Sequence, residues 1–259
     1  MDQQHQMKLL TISDGFGDSA IGPVWYCDFI KWPEIIKLMT KGTQLTNLSR
    51  YGAGNEYISQ CLKNNMPGHD AVLIQWAAPN RFDLVLGEHR DVWQQQIDLD
   101  PVYNNNVLDI NNDQYWLSSG SQNLNVKEYH SKYICLQQHR LRSQLFVDYA
   151  TLLCRAHSAK HGFFLTVDSR YLENTVKDTS NWCWHEQFKG MDSFRSISTY
   201  ADLDAKLNLV QPISLVQFEF IKKFIVPKFD FPWRNIREID AVENMLYRKY
   251  KEAIVKRDD

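Results

Sequence analysis

The stretch Lys8-Leu-Leu-Thr-Ile-Ser13, followed at once by Asp14-Gly-Phe-Gly-Asp-Ser19, decides the fold class of this 259-residue chain. Its first half is a short apolar run that predicts a buried strand, and its glycine-rich second half ends that strand in a turn. A later run, Asp70-Ala-Val-Leu-Ile-Gln-Trp76, has β-branched residues and turn-like borders. It therefore predicts a second buried strand.

Predicted helices alternate with the predicted strands along the chain. Pro33 near the start and Gly42 beyond the end mark a helix over residues 33–39, and Gly162 ends another helix that begins at His139. Alternation of this kind implies a three-layered α/β domain with a mainly parallel sheet. The remaining predicted elements are strands at 44–48 and 163–167 and helices at 55–64, 214–226 and 239–255.

The chain is predicted to form a single domain over residues 1–259, because an α/β unit of this size is often one domain. Asn-rich and Ser-rich turns predict an irregular insertion around residues 88–132. The last part of the chain, around 232–259, is predicted to be a helical extension. Its charges of both signs favour a solvated helix.

Composition excludes several classes of protein. A hydrophobic fraction of 44% excludes general disorder, and no apolar stretch approaches the roughly 18–20 residues that cross a bilayer. The net charge of -2 argues against phosphate-driven binding of nucleic acid. Five widely spaced cysteines without a C-x-x-C motif suit reduced thiols. The polar N-terminus lacks a secretory signal, so a cytoplasmic site of synthesis is expected.

The glycine-rich turn after the first predicted strand allows two functional interpretations and one structural one. Gly15-x-Gly17-x-x-Ala20 has the spacing of a dinucleotide-binding fingerprint, but Gly22-Pro23 interrupts the helix which that fingerprint needs. Alternatively, Ser19 is a nucleophile at the carboxyl end of a strand, where open α/β sheets bind ligands. The structural interpretation is a plain turn.

Three segments in order strengthen the interpretation of Ser19 as a nucleophile. They are Gly17-Asp18-Ser19, Asn47-Leu-Ser-Arg-Tyr-Gly52 and the stretch from Asp70 to Asn80. In order and spacing they resemble the first three blocks of the SGNH, or GDSL, hydrolase family. The variants at 52–58 and 74–82 are most similar to the stand-alone SGNH proteins of tailed phages. The resemblance covers about the first 85 residues and the last 50.

The resemblance implies a flavodoxin-like α/β/α sandwich that hydrolyses esters, often acyl or acetyl groups on lipids and sugars. Ser19 would attack the carbonyl carbon. The backbone N–H groups of Ser19 and Gly52 and the side chain of Asn80 would hold the oxyanion, because converging donors stabilise the developing charge. Asn55 is the alternative to Asn80, and its structural interpretation is a helix cap. No cofactor is expected.

The fourth block departs from the family pattern. Members carry Asp-x-x-His-Pro before the last core helix, whereas this chain has Asn208-Leu-Val-Gln211-Pro212. Gln cannot take a proton from serine near neutral pH, and Asn has no imidazolium to stabilise. Loss of triad members typically lowers the rate by about 10⁴–10⁶. The resemblance therefore implies a binding or structural component that recognises a carbohydrate or an acyl ester, assembled with other proteins in a phage particle.

The alternative is an active serine ester hydrolase, a carbohydrate deacetylase or a lipase-like enzyme, that uses Ser19 and a histidine from elsewhere. His185 is one candidate for that base. His157 and His161 are others, and their spacing on one predicted helix also suits a metal, with Cys183 and His185 as further ligands. The structural interpretation of this pair is a solvated helix end beside the C-terminal dipole.

Large aromatic residues and one arginine are expected around the mouth of the cleft. The predicted substrate-binding residues are Trp25, Trp76 and Arg81, with Tyr26 and Phe82 as their neighbours in the sequence. Aromatic faces suit contacts with sugars and acyl groups, and large aromatics also fill cores.

Overall fold

A computed structural model of the chain describes residues 6–14, 29–50, 53–77, 81, 83–85, 107–109, 115–118, 128, 132, 135–165, 198–207 and 212–258. The strands in this part of the chain are β1 (Lys8–Ser13), β2 (Gln44–Asn47), β3 (Ala71–Trp76), β4 (Asp83–Val85), β5 (Val107–Asp109), β6 (Tyr115–Ser118) and β7 (Lys160–Leu165). The helices are α1 (Trp32–Met39), α2 (Asn55–Asn65), α3 (Leu136–Ala156), α4 (Ala201–Leu207), α5 (Ser214–Phe220) and α6 (Ile236–Asp258), and a π-helical segment, Ile221–Ile225, follows α5.

Four of the strands form one parallel sheet in the order β2-β1-β3-β7. The flavodoxin-like strand order begins in the same way, with the first strand between the second and the third. All residues of β3 are buried, as expected for a central strand covered on both faces. The predicted α/β sandwich with a mainly parallel sheet is therefore confirmed.

Helices cover both faces of this sheet. Each face has its own hydrophobic cluster, one built with α1, α5 and α6 and the other with α2 and α3. Successive side chains of a strand point to opposite faces, so Leu73 joins the first cluster and Ile74 the second. This two-sided burial explains why the strands are continuous apolar runs in the sequence rather than alternating ones.

A second, antiparallel sheet shares no strand with the first and has the strand order β4-β6-β5. Two of its strands fall within residues 88–132, where the sequence predicted an irregular insertion. The prediction of an irregular structure is therefore wrong for residues 107–109 and 115–118, which form strands. Strands of three or four residues are too short to show an alternating pattern. Here β6 pairs with both β4 and β5.

The helix predicted over residues 139–161 ends earlier, at Ala156, and β7 begins at Lys160 rather than at Phe163. Ser158 takes a left-handed conformation with φ of 54°, which reverses the chain direction after the helix. The N–H of Lys160 then donates to the carbonyl of Asp70 over 3.1 Å. Pairing with β3 therefore decides this boundary, and a sequence pattern does not show it.

The C-terminal helix α6 is part of the core. Its apolar face contributes Ile239, Leu246, Tyr250 and Ala253 to the cluster beneath α1 and α5. The hydroxyl of Tyr250 also donates to the carbonyl of Leu203 in α4 over 3.1 Å. The charged residues that predicted a solvated extension occupy the other face. None of the described helices combines the length and hydropathy of a membrane span.

Gly162 lies in β7 at a point where no side chain fits. A Cβ atom there would lie 2.8 Å from Cε2 of Phe229 and 2.9 Å from Cδ2 of Leu73. We expect Gly162→Ala to lower the free energy of unfolding by about 1–3 kcal/mol, because overpacking forces side chains out of their rotamers. Urea denaturation measures this loss. Adding Phe229→Leu should recover part of it, and an undiminished loss in the double variant would contradict the contact.

Candidate functional site

The carboxyl ends of the parallel strands meet along one side of the main sheet, which we call the carboxyl edge. Ser13 of β1, Asn47 of β2 and Trp76 of β3 mark it. Open α/β sheets bind ligands outside this edge. The N–H of Arg50 donates to the carbonyl of Ser13 over 3.0 Å, so the chain that leaves β2 is held against the end of β1.

The start of α5 lies at the same edge, on the α1 face of the sheet. The hydroxyl of Ser214 donates to the carbonyl of Ile30 over 2.6 Å, and the N–H of Trp32 donates to Oε1 of Gln217 over 2.7 Å. The indole N–H of Trp32 in turn donates to Oε1 of Gln75 over 2.9 Å. Gln75 is the penultimate residue of β3, so these bonds join α5 and α1 to the carboxyl edge.

The residues on either side of positions 208–211 are anchored. Leu207 is the last residue of α4, and Pro212 precedes α5. The buried carboxylate of Asp204 in α4 accepts the N–H of Ile213 over 2.6 Å. This bond holds α4 to the residues that lead into α5.

Several predicted site residues lie outside the described part of the chain. For these, only the positions of neighbouring residues are described. Of the residues singled out in the sequence, the described ones are Asn55, Trp76, Arg81, His157 and His161. Those outside are Ser19, Trp25, Tyr26, Gly52, Asn80, Phe82, Cys183, His185, Asn208 and Gln211.

Asn55 is the first residue of α2, and its side chain holds the end of β3. The N–H of Ala77 donates to Oδ1 of Asn55 over 2.9 Å, and Nδ2 donates to the carbonyl of Ala77 over 3.1 Å. Nδ2 also donates to Oγ of Ser143 over 3.0 Å. The interpretation of Asn55 as a helix cap is wrong, since Gly54 is the N-cap residue. Both hydrogens of Nδ2 are used within the protein, so the Asn55 amide has none left to donate to an oxyanion.

The amino end of α2 is capped from a distance by Asp83 of β4. Its Oδ1 accepts the N–H of Gly54 over 2.8 Å, and its Oδ2 accepts the N–H of Tyr57 over 2.7 Å. The N–H of Asp83 donates to Oε2 of Glu56 over 2.9 Å, and Arg142 of α3 forms an ion pair with Glu56. These contacts have the reciprocal pattern of a capping box, assembled here from residues far apart in the chain.

Burial raises the pKa of Asp83 to about 6, while hydrogen bonds from Tyr57 and Gly54 and the charge of Arg81 act in the opposite direction. The folded chain thus holds this proton at a higher pH than the unfolded chain does. The stabilising contribution of the protonated carboxyl is complete below about pH 4 and is lost as the pH rises through about 6. A buried carboxyl that titrates near 6 is a common feature of functional sites.

Arg81, predicted to bind substrate, forms an ion pair with Asp14. Nη1 of Arg81 lies 3.2 Å from Oδ2 of Asp14, and the Arg81 side chain remains 33% exposed. Asp14 is buried and directly follows β1. The pair therefore ties the chain after β3 to the end of β1.

Trp76, also predicted to bind substrate, is a core residue. It is 1% exposed and packs edge-on against Phe163, with the ring centroids 5.8 Å apart. As the last residue of β3, it points to the α2 face, whereas Gln75 points to the α1 face. The alternative interpretation of large aromatics as core filling holds for Trp76.

The two described histidines considered as substitute bases lie at the opposite edge of the sheet. His161 pairs in register with Val72 near the start of β3, and His157 follows the last turn of α3. Trp76 lies four positions further along β3 than Val72, about 13 Å of strand. The shared helix face predicted for His157 and His161 is wrong, because His161 belongs to β7.

His139 and Ser143 are residues of the carboxyl edge that the sequence patterns did not single out. α3 runs from this edge, where Ser143 contacts Asn55, to the opposite edge, where the chain enters β7. His139 precedes Ser143 by four residues, so the two are neighbours on one helix face, and both are buried. The sequence offered one signal for these residues, a pair of polar residues four positions apart on a predicted helix. That spacing indicates a functional pair only when the buried face of α3 is known.

No family model matches this chain, and no curated protein matches it. Within the described ranges, no group of three His, Cys, Asp or Glu side chains could hold a metal ion.

Proposed function

We propose that this chain is an SGNH-fold binding protein that retains the ligand site of that family and has lost its catalytic base. In this proposal, Asn208 and Gln211 stand where an ester hydrolase carries Asp and His. The ligand is a carbohydrate or an acyl ester that is held and not turned over. The resemblance to phage proteins favours a virion component, with other virion proteins as its neighbours.

The observation that carries this proposal is that residues which border four distant segments lie at the carboxyl edge or beside the start of α5. Asp14 follows β1, Arg50 follows β2 and contacts Ser13, Ala77 follows β3, and Pro212 precedes α5. These residues border the four segments that resemble the SGNH blocks. A nucleophile, oxyanion donors and a base act together only when such segments converge, so the geometry supports a shared site.

The chemistry of the fourth segment favours binding over turnover. An amide can donate and accept hydrogen bonds, but it cannot act as a general base near neutral pH. Both described histidines that were considered as substitutes, His157 and His161, belong to the other edge of the sheet. A serine without a base retains only about 10³–10⁴ of rate enhancement over water.

Two arginines at the described part of the edge are already paired with carboxylates. Arg81 is paired with Asp14 and Arg142 with Glu56, so each of these cations already has an anionic partner. Nε2 of Gln75 is buried at this edge without a hydrogen-bond partner. A buried amide donor of this kind suits a carbonyl or hydroxyl oxygen, which sugars and acyl esters both supply.

A second candidate function is favoured by the position of His139. This residue lies at the carboxyl edge, one helical turn before Ser143, which contacts Asn55. An active ester hydrolase could use His139 as the base for Ser19. In that case the amides at 208 and 211 would have no catalytic role.

Labelling with a fluorophosphonate separates the two functions, because an activated serine reacts quickly and stoichiometrically. We expect the wild-type chain to label no faster than Ser19→Ala. Fast labelling that is lost in both Ser19→Ala and His139→Gln would establish the hydrolase instead. His69→Gln is the matched control, since His69 contacts Asn65 and Thr46 away from the carboxyl edge.

A further inference from the structure

Three polar residues form the last row of the main sheet before the carboxyl edge. Ser13 of β1 pairs in register with Gln75 of β3. The N–H of Arg50 donates to the carbonyl of Ser13, which continues the register between β1 and β2 as far as Ser49. Leu73, two residues before Gln75, belongs to the cluster built with α1, so the three polar side chains lie on the α1 face. We call Ser49, Ser13 and Gln75 the polar row.

Two donors of the polar row have no hydrogen-bond partner within the described part of the chain. They are Nε2 of Gln75 and Oγ of Ser49, and both residues are buried. Ser13 lies between them, and its hydroxyl donates to the carbonyl of Asp14 over 2.9 Å. Buried donors in native proteins are normally satisfied by the protein, by water or by a ligand. The polar row therefore has room in its hydrogen bonding for an acceptor from outside the chain.

The Gln75 amide cannot turn around to remove this deficit. The indole N–H of Trp32 donates to Oε1 of Gln75 over 2.9 Å, and an indole nitrogen can only donate. Oε1 must therefore face Trp32, and both hydrogens of Nε2 remain for another acceptor. The backbone of Ser49 is also held in place, because its N–H donates to Oδ1 of Asn47 over 3.1 Å.

We infer that the polar row is a binding site for a carboxylate, in which one oxygen accepts a hydrogen bond from Gln75 and the other from Ser49. Neighbouring strands lie about 4.8 Å apart, so the Cα atoms of these two residues, two strands apart, are separated by about 9.6 Å. Each hydrogen bond spans about 2.9 Å, so a pair of oxygens bridges this gap more easily than a single oxygen does. A carboxylate provides two equivalent acceptor oxygens on one group.

Donor chemistry and helix polarity favour a carboxylate over a neutral amide. If an amide donated to Ser49, the hydrogen of the Ser49 hydroxyl would still have no acceptor. Hydrogen bonds to an ionised acceptor are also roughly twice as strong as those to a neutral one. The first residue of α1, Trp32, is bonded to Gln75, and the positive end of the α1 dipole favours an anion at this place.

This inference names the chemical class of the ligand, and it rests on the proposed function for the remainder of that ligand. The proposed ligand is then a carbohydrate that carries a carboxylate, such as a chain of uronic-acid units. The carboxylate site itself is defined by Ser49, Gln75 and Trp32, which are all described residues. It can therefore be tested separately from the carbohydrate.

NMR titration of the full chain with acetate at pH 7 tests the carboxylate site by itself. Acetate should shift the side-chain amide signals of Gln75 and the indole signal of Trp32 in a saturable way. Acetamide has nearly the same shape and no charge, so we expect it to bind at least about tenfold more weakly. Sodium chloride at the same concentration controls for ionic strength.

Replacement of Ser49 tests the second donor of the site. Ser49→Ala should weaken acetate binding about tenfold, because a hydrogen bond to a charged group is lost. The variant should fold, since the hydroxyl has no partner in the described chain to lose. Thr43→Val is the matched control: Thr43 also has a buried hydroxyl without a partner among the described residues, but it precedes β2 at the opposite edge of the sheet.

Three results would overturn the carboxylate site. They are the absence of a saturable shift, which would mean that only water fills the polar row, equal affinities for acetate and acetamide, and unchanged acetate affinity in Ser49→Ala. Gln75→Met should abolish acetate binding as well. If Gln75→Met does not fold because Trp32 has lost its acceptor, the Ser49→Ala result decides.

Calorimetric titration with trigalacturonate and with its methyl ester separates this inference from the proposed function. We expect the free acid to bind at least about tenfold more tightly than the ester. Acetate binding at the polar row without binding of either oligosaccharide would count against a carbohydrate ligand and leave the carboxylate site intact. Equal binding of the two oligosaccharides would support a carbohydrate ligand and overturn its recognition through a carboxylate.

Discussion

The double variant Asn208→Asp with Gln211→His is expected to hydrolyse p-nitrophenyl acetate at least about 10³-fold faster than the wild-type chain. The new histidine would take the proton from Ser19, and the new carboxylate would orient it. Each single variant should gain little, since a histidine without its carboxylate is poorly oriented and a carboxylate alone has no base to orient. Release of p-nitrophenol, followed at neutral pH, measures the gain.

Ser19→Ala in the repaired chain is the control, and it should remove the new activity. A well-folded double variant without any gain would contradict the idea that only the base and its orienting acid were lost. Ester turnover by the unmodified chain, abolished by Ser19→Ala, would contradict the binding function itself. That result would favour His139 as the catalytic base.

Replacement of Asn55 is expected to have the largest effect on stability. Asn55→Ala would remove the partners of the N–H and carbonyl of Ala77 and one partner of Ser143. Because all three residues are buried, we expect the free energy of unfolding to fall by about 2–5 kcal/mol. Urea denaturation of the full chain measures this loss.

Asn64→Ala is the matched control for this prediction. Asn64 lies on the same helix, α2, but it is exposed and bonds with Gln60 on the surface. Its replacement should change stability by less than about 0.5 kcal/mol. Similar losses of stability in the two variants would contradict a special stabilising role for the hydrogen bonds between Asn55 and Ala77.

The sequence was sufficient to predict a mainly parallel sheet and the positions of its first three strands. β1 was predicted with the bounds observed, and β2 and β3 within one residue, because strands buried on both faces are uninterrupted apolar runs between turns. α2 was likewise predicted to within one residue of its end. The antiparallel sheet was not predicted, since β5 and β6 are too short to carry a pattern of their own.

The sequence predicted those features of the site that depend on where strands end. It did not predict the features that depend on contacts between separate helices and strands. Arg81 lies beside the end of β1, and its ion pair with Asp14 was not foreseen. Trp76 was expected at the cleft mouth and is instead core, because the face of β3 on which it lies is covered by α2 and α3. Its neighbour Gln75 points to the other face.

The sequence by itself determined that the chain forms a parallel α/β sheet and that its chemistry-bearing segments follow the ends of strands. These features depend on hydrophobic periodicity and turn residues, which are local. Only the tertiary structure decided that Asp83 caps α2, that Asn55 holds Ala77, and that His139 and His161 lie at opposite edges. Such contacts join residues distant in the chain, and a hydrogen bond or a shared edge between them leaves no periodic trace in the sequence.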